Sequence, residues 1–94
     1  MSERKTTRTL ELSESDFASA KDLHAHLARE LEFPGHYGAN LSALSDCLGD
    51  ISQPTRIVAT RNGSTEWFFR FCTVFARAAL ENPQLDVRID DERA

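Results

Sequence analysis

Three short segments with strand character are separated by segments with helical periodicity, and this alternation constrains the fold most strongly. The strand-like segments are residues 6–12, 55–60 and 85–90. Strands joined through helices need crossover connections and therefore lie parallel. The pattern predicts one domain over residues 1–94, an α/β fold in which three to four helices pack on a small three-stranded parallel sheet, in the order β-α-α-β-α-β.

The second and third strands are predicted to differ in burial. The centre of the second, residues 57–59, is apolar at consecutive positions, which is typical of a strand covered on both faces. The third alternates apolar and polar residues, so that one face is buried. Residues 91–94 are expected to form a mobile tail.

The first helix is predicted over residues 20–32. Ser19 lies three residues before Asp22, which is typical of a helix N-cap. In this arrangement the Ser19 hydroxyl accepts a hydrogen bond from a backbone N–H in the first turn, and the Asp22 carboxylate accepts one from the backbone N–H of Ser19. His24 falls on the leucine face of this helix, where a histidine is more often a core residue with one satisfied nitrogen than a ligand. Residues 33–35, Phe-Pro-Gly, end the helix because proline disfavours helical geometry in the residue before it.

The second and third helices also carry end signals. Asn40 is a good N-cap for a helix over residues 41–48, and Gly49 is expected to end it. The third helix is predicted to begin near residue 64 or 65 and to end at Asn82, which precedes a proline. The third helix carries a broad apolar arc, with a narrow polar stripe opposite that includes Arg77.

Charge and hydropathy limit the classes of partner. Fifteen acidic and eleven basic residues give a net charge of -4, which disfavours direct nucleic-acid binding, since phosphate binding needs a basic footprint, and mildly favours a basic partner. No apolar run approaches the roughly 20 residues of a membrane-spanning helix, and residues 1–5 lack the apolar stretch of a secretory signal. We therefore expect a cytoplasmic protein without a membrane partner.

The sequence offers little for catalysis. Cys47 and Cys72 are too few for a disulfide framework and fit no zinc spacing, so we expect free thiols acting as small core residues, and neither a metal nor a cofactor. Phosphate-binding loops, G-x-S-x-G and H-E-x-x-H are absent. A nucleophile built from Cys47, His36 and Asp46 is the enzyme alternative, but Cys47 points toward the core side, where a thiolate is costly. The chain is not expected to be an enzyme.

What remains is a polar surface on the second helix and the loop before it. Asp46 and Asp50 are one turn apart and project the same way, and two such carboxylates repel each other and gain by meeting a basic group. Spacing alone favours an ordinary solvated helix face. The candidate partner-binding residues are His36, Tyr37, Gly38, Asn40, Ser42, Ser45, Asp46, Gly49 and Asp50.

Three motifs between residues 22 and 48 favour a binding role for this surface. They are Asp-Leu-His opening the first helix, Phe-Pro-x-x-Tyr-Gly-x-Asn-Leu through the loop, and Ala-Leu-x-Asp-Cys-Leu closing the second helix. In these motifs the chain resembles the barstar family of ribonuclease inhibitors. The resemblance implies a three-stranded parallel sheet with helices and a bacterial, intracellular inhibitor, of the immunity or antitoxin type, that plugs the active site of a guanyl ribonuclease.

The resemblance also implies roles for single residues. Asp46 matches the aspartate that stands in for the substrate phosphate against basic side chains of the enzyme. His36 falls at a loop aromatic that stacks on the catalytic histidine, and Tyr37, Asn40 and Gly49 match further contact positions. The implied partner is a small basic extracellular-type ribonuclease or a toxin nuclease domain, and the free inhibitor is expected to be a monomer.

The chain departs from the family at several contact positions. Ser42 replaces a second carboxylate, Ser45 replaces a large aromatic, and another aromatic falls at Asp50 or Ile51. Arg77 aligns with an acidic residue of the last helix, and the connection before that helix is shorter, so that a short extra helix is expected to be missing. These departures predict poor inhibition of barnase itself, and a cognate nuclease with an acidic rim that meets Arg77 and Arg70 would explain them. The alternative function is a barstar-like interaction domain with a regulatory partner that is not a ribonuclease.

Overall fold

The structure, a computed structural model, describes residues 7–92 and confirms the predicted element order. Residues 1–6, which include the start of the predicted first strand and the segment inspected for a signal, lie outside the described residues, as do residues 93–94 of the predicted tail. The described elements are β1 (Arg8–Ser13), a 3-10 helix (Glu14–Asp16), α1 (Ala20–Glu30), α2 (Leu41–Gly49), β2 (Thr55–Arg61), α3 (Glu66–Glu81) and β3 (Leu85–Asp91).

The three described strands form one parallel sheet in the order β1-β2-β3. Ile57 and Ala59 of β2 are fully buried beneath the helices, but Val58 between them is only half-buried. Its neighbours in register, Glu11 and Arg88, are exposed, so this face of the sheet is open to solvent. The prediction that β2 is covered on both faces was therefore wrong, because both flanking strands place charged residues beside Val58.

The core lies on the other face of the sheet, where the helices pack. Its largest fully buried side chains are Phe68, Phe71 and Phe75 of α3, joined by leucines of α1 and α2. Phe69 and Leu80 of α3 lie outside its apolar arc and are 49% and 88% exposed. Residues 62–65 join β2 to α3 without a helix. None of the helices in residues 7–92 is long and apolar enough to cross a membrane.

The helices end close to the predicted positions, and the differences have local causes. Helix α1 stops at Glu30, two residues earlier than expected, because Glu32 adopts a left-handed conformation (φ 58°) and the backbone N–H of Phe33 donates to the carbonyl of Ala28 (3.0 Å). This pairing closes the helix end. Helix α2 includes Gly49, which was expected to follow it. At the end of the chain, Asp91 continues β3, although it was predicted to belong to the tail.

The start of α3 is capped by the carboxylate of Glu14, which lies about fifty positions earlier in the sequence. Glu14, only 4% exposed, accepts hydrogen bonds from the backbone N–H groups of Gly63 (2.8 Å) and Thr65 (2.9 Å) and from the Thr65 hydroxyl. Thr65 is the N-cap residue but makes no side-chain cap of its own. A Cβ at residue 63 would lie 3.0 Å from Glu14 Oε2, so a side chain there would push the carboxylate away from its hydrogen-bond donors.

The hydrogen-bonded carboxylate of Glu14 should make the free energy of unfolding decrease in acid. Burial alone would raise the pKa of Glu14, but the hydrogen bonds from Thr65 and Gly63 outweigh it and lower the pKa below its usual value. Because the folded pKa is the lower one, this contribution is complete above the unfolded pKa of about 4.3 and is lost as the pH falls through the folded value. Glu14→Gln should cost about 1–3 kcal/mol at pH 7, since an amide N–H2 then faces N–H donors.

The measurement is urea unfolding of wild type and Glu14→Gln at pH 7 and at pH 3. The stability difference should be large at pH 7 and should shrink at pH 3, because below the unfolded pKa of about 4.3 the carboxyl of the unfolded chain is protonated and the advantage of the lowered folded pKa is lost. Asp16→Asn is the matched control, because Asp16 lies exposed in the same 3-10 helix. Equal stability of Glu14→Gln and wild type at pH 7 would contradict the capping role.

Candidate protein-binding site

Helix α2 presents Asp46 on its outermost line. Leu44 and Leu48 are fully buried, and at about 100° per residue the direction opposite their midpoint is that of Asp46. The Asp46 side chain is exposed and makes no hydrogen bond or ion pair with any residue in the described range 7–92. Its carboxylate is therefore neither turned inward nor neutralised by a neighbour.

The remaining candidate residues of α2 lie on two flanks of that line. Ser42, Ser45 and Gly49 are exposed on the flank that faces α3. Asp50, also exposed, lies on the other flank beside Cys47, where both residues line a cavity of about 290 Å³. We call this surface of α2 the ridge. Asp46 lies at its crest, serine hydroxyl groups and Gly49 lie on the flank that faces α3, and Asp50 and Cys47 lie on the other flank.

A groove of about 470 Å³ separates α2 from α3. The α2 side of the groove carries hydroxyl groups and a glycine, whereas the α3 side carries one cation and one acid. The lining residues are Leu41, Ser42, Ser45, Gly49, Val74, Arg77, Ala78, Glu81 and Asn82.

Asn82 joins α2 to α3 at the end of this groove. Its buried side-chain amide donates to the backbone carbonyls of Leu48 (2.9 Å) and Ile51 (3.0 Å), and its Oδ1 accepts from the backbone N–H of Gln84 (2.9 Å). The last carbonyls of a helix have no partner within the helix. Asn82, at the end of α3, donates the missing hydrogen bond to the end of α2, and this contact holds the two helices at a defined distance.

Tyr37 anchors the loop that precedes α2. Its half-buried ring packs against Phe33, with ring centres 4.9 Å apart, and its hydroxyl lies 2.6 Å from Nδ1 of buried His24. Burial, with a smaller contribution from Cys47, raises the pKa of Tyr37 to about 12. The expectation that His24 is a core residue with a satisfied nitrogen is confirmed. His36, next to this anchor, is exposed and has no hydrogen bond within residues 7–92.

Asn40 and Gly38 shape the junction between the loop and α2. The backbone N–H of Ala43 donates to Asn40 Oδ1 (2.8 Å), so the predicted N-cap is confirmed. Only the side-chain N–H2 of Asn40 remains for a partner. A Cβ at residue 38 would lie 3.3 Å from that nitrogen, so glycine leaves it room.

The cysteines do not form a nucleophilic site. The pKa of the Cys47 thiol is raised by burial and further by Asp50 and Asp46, which disfavours the reactive thiolate. His36 does not line the cavity that Cys47 lines. Cys72 is buried, which raises its pKa to about 11, and both thiols are free, as predicted. Cys47 is only half-buried, so the prediction that it is a core residue holds in part.

Comparison with known proteins agrees with the fold and with the motifs of α1 and α2. The structure is that of a small α/β protein with a three-stranded parallel sheet. The profile of the family described as "Barstar (barnase inhibitor)" matches residues 7–83, and the chain belongs to this family. That description is of an inhibitor and is consistent with the expectation that the chain is not an enzyme.

One relative extends this result. A protein of Bacillus subtilis (strain 168) named "Putative ribonuclease inhibitor YrdF" is 46% identical over 44 residues, which are 46% of this chain and 48% of that protein. The aligned stretch thus spans about half the length of the relative.

Sequence reasoning did not find the groove or its walls. Val74, Glu81 and Asn82 were not predicted as part of any site, and Arg77 was expected to meet an acidic rim of the partner but was not placed in a groove. A helical projection of α3 places Arg77 on a polar stripe, but no signal in the sequence says that this stripe faces Ser42 and Ser45.

Tyr37→Phe should destabilise the chain by about 1–2 kcal/mol, because it leaves the buried Nδ1 of His24 without a partner. Chemical unfolding at pH 7.5 measures the effect, with His36→Ala as the control, since removal of an exposed neighbour should change stability by less than about 0.5 kcal/mol. At pH 7.5 the protonation of His24 does not affect the comparison. Burial lowers the pKa of His24 in the folded chain, so the free energy of unfolding decreases as the pH drops below the unfolded value of about 6.5. A Tyr37→Phe variant as stable as His36→Ala would contradict the anchoring role.

Proposed function

We propose that the chain inhibits a basic microbial guanyl ribonuclease by inserting α2 and the preceding loop into its active-site cleft. The partner is a small extracellular-type ribonuclease or a toxin nuclease domain. The observation that carries the proposal is Asp46, an exposed carboxylate at the crest of α2 with no partner of its own within residues 7–92.

Electrostatics explains why one carboxylate can block such an enzyme. A ribonuclease cleft is basic because it must bind the phosphate and stabilise the charge of the transition state. Asp46 offers these donors an anion in place of the substrate phosphate. Surrounding contacts exclude water, and the attraction between the charges strengthens as the local dielectric constant falls.

The rigidity of α2 supports the same proposal. Asn40 caps the first turn of the helix, and Asn82 holds its last carbonyls. A carboxylate delivered on an ordered helix loses little conformational freedom on binding, so more of the interaction energy contributes to affinity. The second acid, Asp50, lies one turn further along and adds negative potential on the same side of the ridge.

The loop that precedes α2 contributes its conformation, which Tyr37 fixes, and the exposed imidazole ring of His36. Tyr37 is packed inward, and its hydroxyl is bonded to His24, so it orients the loop through its packing. The neighbouring His36 is exposed, and we expect it to stack on an aromatic or imidazole ring of the enzyme. We assign the chain to the cytoplasm of the cell that makes the nuclease, where a monomeric inhibitor of the immunity or antitoxin type protects that cell.

Asp46→Asn should abolish tight inhibition. A buried charge pair that loses one partner costs about 3–5 kcal/mol, so the affinity for the nuclease should fall by at least about 100-fold. The nuclease is obtained by affinity capture on the tagged chain from the secreted fraction of the host. Inhibition of RNA cleavage by that nuclease and isothermal titration calorimetry then give the affinities.

Asp86→Asn is the matched control, since it removes the same charge from the solvent-open face of the sheet. It should leave the affinity within about twofold, because surface pairs at a distance contribute little. Undiminished binding by Asp46→Asn would rule out the phosphate mimic. Capture of a partner without ribonuclease activity would favour the alternative, an interaction domain with a regulatory partner.

The wild-type chain should inhibit barnase itself poorly. Ser42 and Ser45 offer neither the carboxylate nor the large aromatic ring that the resemblance places at these positions, and each lost contact lowers the affinity. We expect a dissociation constant above about 1 μM in a calorimetric titration with barnase. Inhibition of barnase at nanomolar concentration would contradict this expectation.

A further inference from the structure

Helix α3 carries two pairs of glutamate and arginine four residues apart, and only one pair is joined. Glu66 precedes Arg70, and their side chains form an ion pair at 3.0 Å. Arg77 precedes Glu81, and these side chains form no ion pair. An acid on the N-terminal side of a base is favoured over the reverse order, so the order of Arg77 and Glu81 is the less favourable one. Arg77 thus has no ion-pair partner on its own helix.

Arg77 is also unpaired across the groove. The α2 wall opposite it consists of uncharged residues, which are Leu41, Ser42, Ser45 and Gly49. Asp46 follows Ser45 directly, but at about 100° around the helix it points to the crest, and no ion pair links it to Arg77. Within residues 7–92, Arg77 is an exposed guanidinium without a hydrogen bond or ion pair.

We propose that Arg77 is a specificity-determining residue that receives an acidic side chain of the protein partner in the groove between α2 and α3. The inference rests on the proposed function, since it concerns the same partner, and it adds a second charge to the recognition pattern. The partner carries a base opposite Asp46 and an acid opposite Arg77.

The chemistry of the groove favours a carboxylate. A guanidinium presents a planar fork of N–H donors that matches a carboxylate in a bidentate arrangement. The hydroxyl groups of Ser42 and Ser45, which make no hydrogen bond within the described residues, offer two further donors on the opposite wall. The volume of about 470 Å³ admits a side chain that reaches between the helices.

The position of Glu81 sets where the incoming acid lies. Glu81 lines the same groove one turn beyond Arg77, toward Asn82. It repels an acid at that end, so the carboxylate of the partner is directed to the end formed by Ser42 and Ser45. A polyanion such as RNA is a poorer occupant, because it would extend beyond the single cation and meet a chain of net charge -4.

The test is a nuclear magnetic resonance titration of the 15N-labelled chain with a tetraglutamate peptide at low salt. We expect the amide signals of Ser42, Ser45 and Arg77 to shift, and Arg77→Gln to weaken the binding at least about fivefold. Arg88→Gln is the control, since Arg88 is an exposed arginine on the opposite face of the sheet. It should change the binding by less than about twofold.

Two further titrations separate this inference from the proposed function. A tetralysine peptide should shift the signals around Asp46, and Asp46→Asn should remove that effect while leaving tetraglutamate binding in place. A wild-type chain whose signals around Asp46 do not shift with tetralysine, although tetraglutamate still binds beside Arg77, would count against the phosphate mimic and not against Arg77. Tetraglutamate shifts that are absent, spread evenly over all arginines or unchanged in Arg77→Gln would overturn the inference, as would tighter binding of hexauridylate than of tetraglutamate in the groove.

Discussion

The buried side chain of Asn82 is the contact on which the arrangement of the site depends. It lies at the end of α3, yet it donates to carbonyls at the end of α2 and accepts from the chain that leads into β3. A helix as short as α2 gains little stability by itself and is held by its tertiary contacts. Buried Leu44 and Leu48 set the direction of Asp46, and the Asn82 amide fixes the end of α2 beside α3, where the groove next to Arg77 lies.

The polar groups of the site divide into those that the fold uses and those that it leaves free. Asn40 caps α2, and the hydroxyl of Tyr37 binds His24, so both act on a partner through the shape that they give to the loop. Asp46, His36 and Arg77 have no such intramolecular role among the described residues. A protein surface that keeps its unpaired charges on ordered elements meets a partner with little reorganisation.

The order of the elements could be predicted from the sequence, because its signals are local. Asn40 caps the helix that follows it, and the leucine spacing of α1 and α2 defines their buried faces. The capping of α3 by Glu14 could not be predicted, since it joins residues about fifty positions apart. The same holds for the groove, which exists only once α2 and α3 pack together. Val58 was misjudged because the burial of a strand depends on what its neighbours place beside it.

Placing an acid and a base close together on the proposed interface changes what the interface selects. A surface with acids alone attracts any sufficiently basic cleft, whereas Arg77 penalises a cleft that is basic at every point around Asp46. Specificity is a difference between affinities, and a repulsive contact with the wrong partner contributes to it as much as an attractive one with the right partner. With serines at positions 42 and 45, the groove stays open beside Arg77, so a partner that reaches into it with a carboxylate gains a contact that barnase is not expected to make.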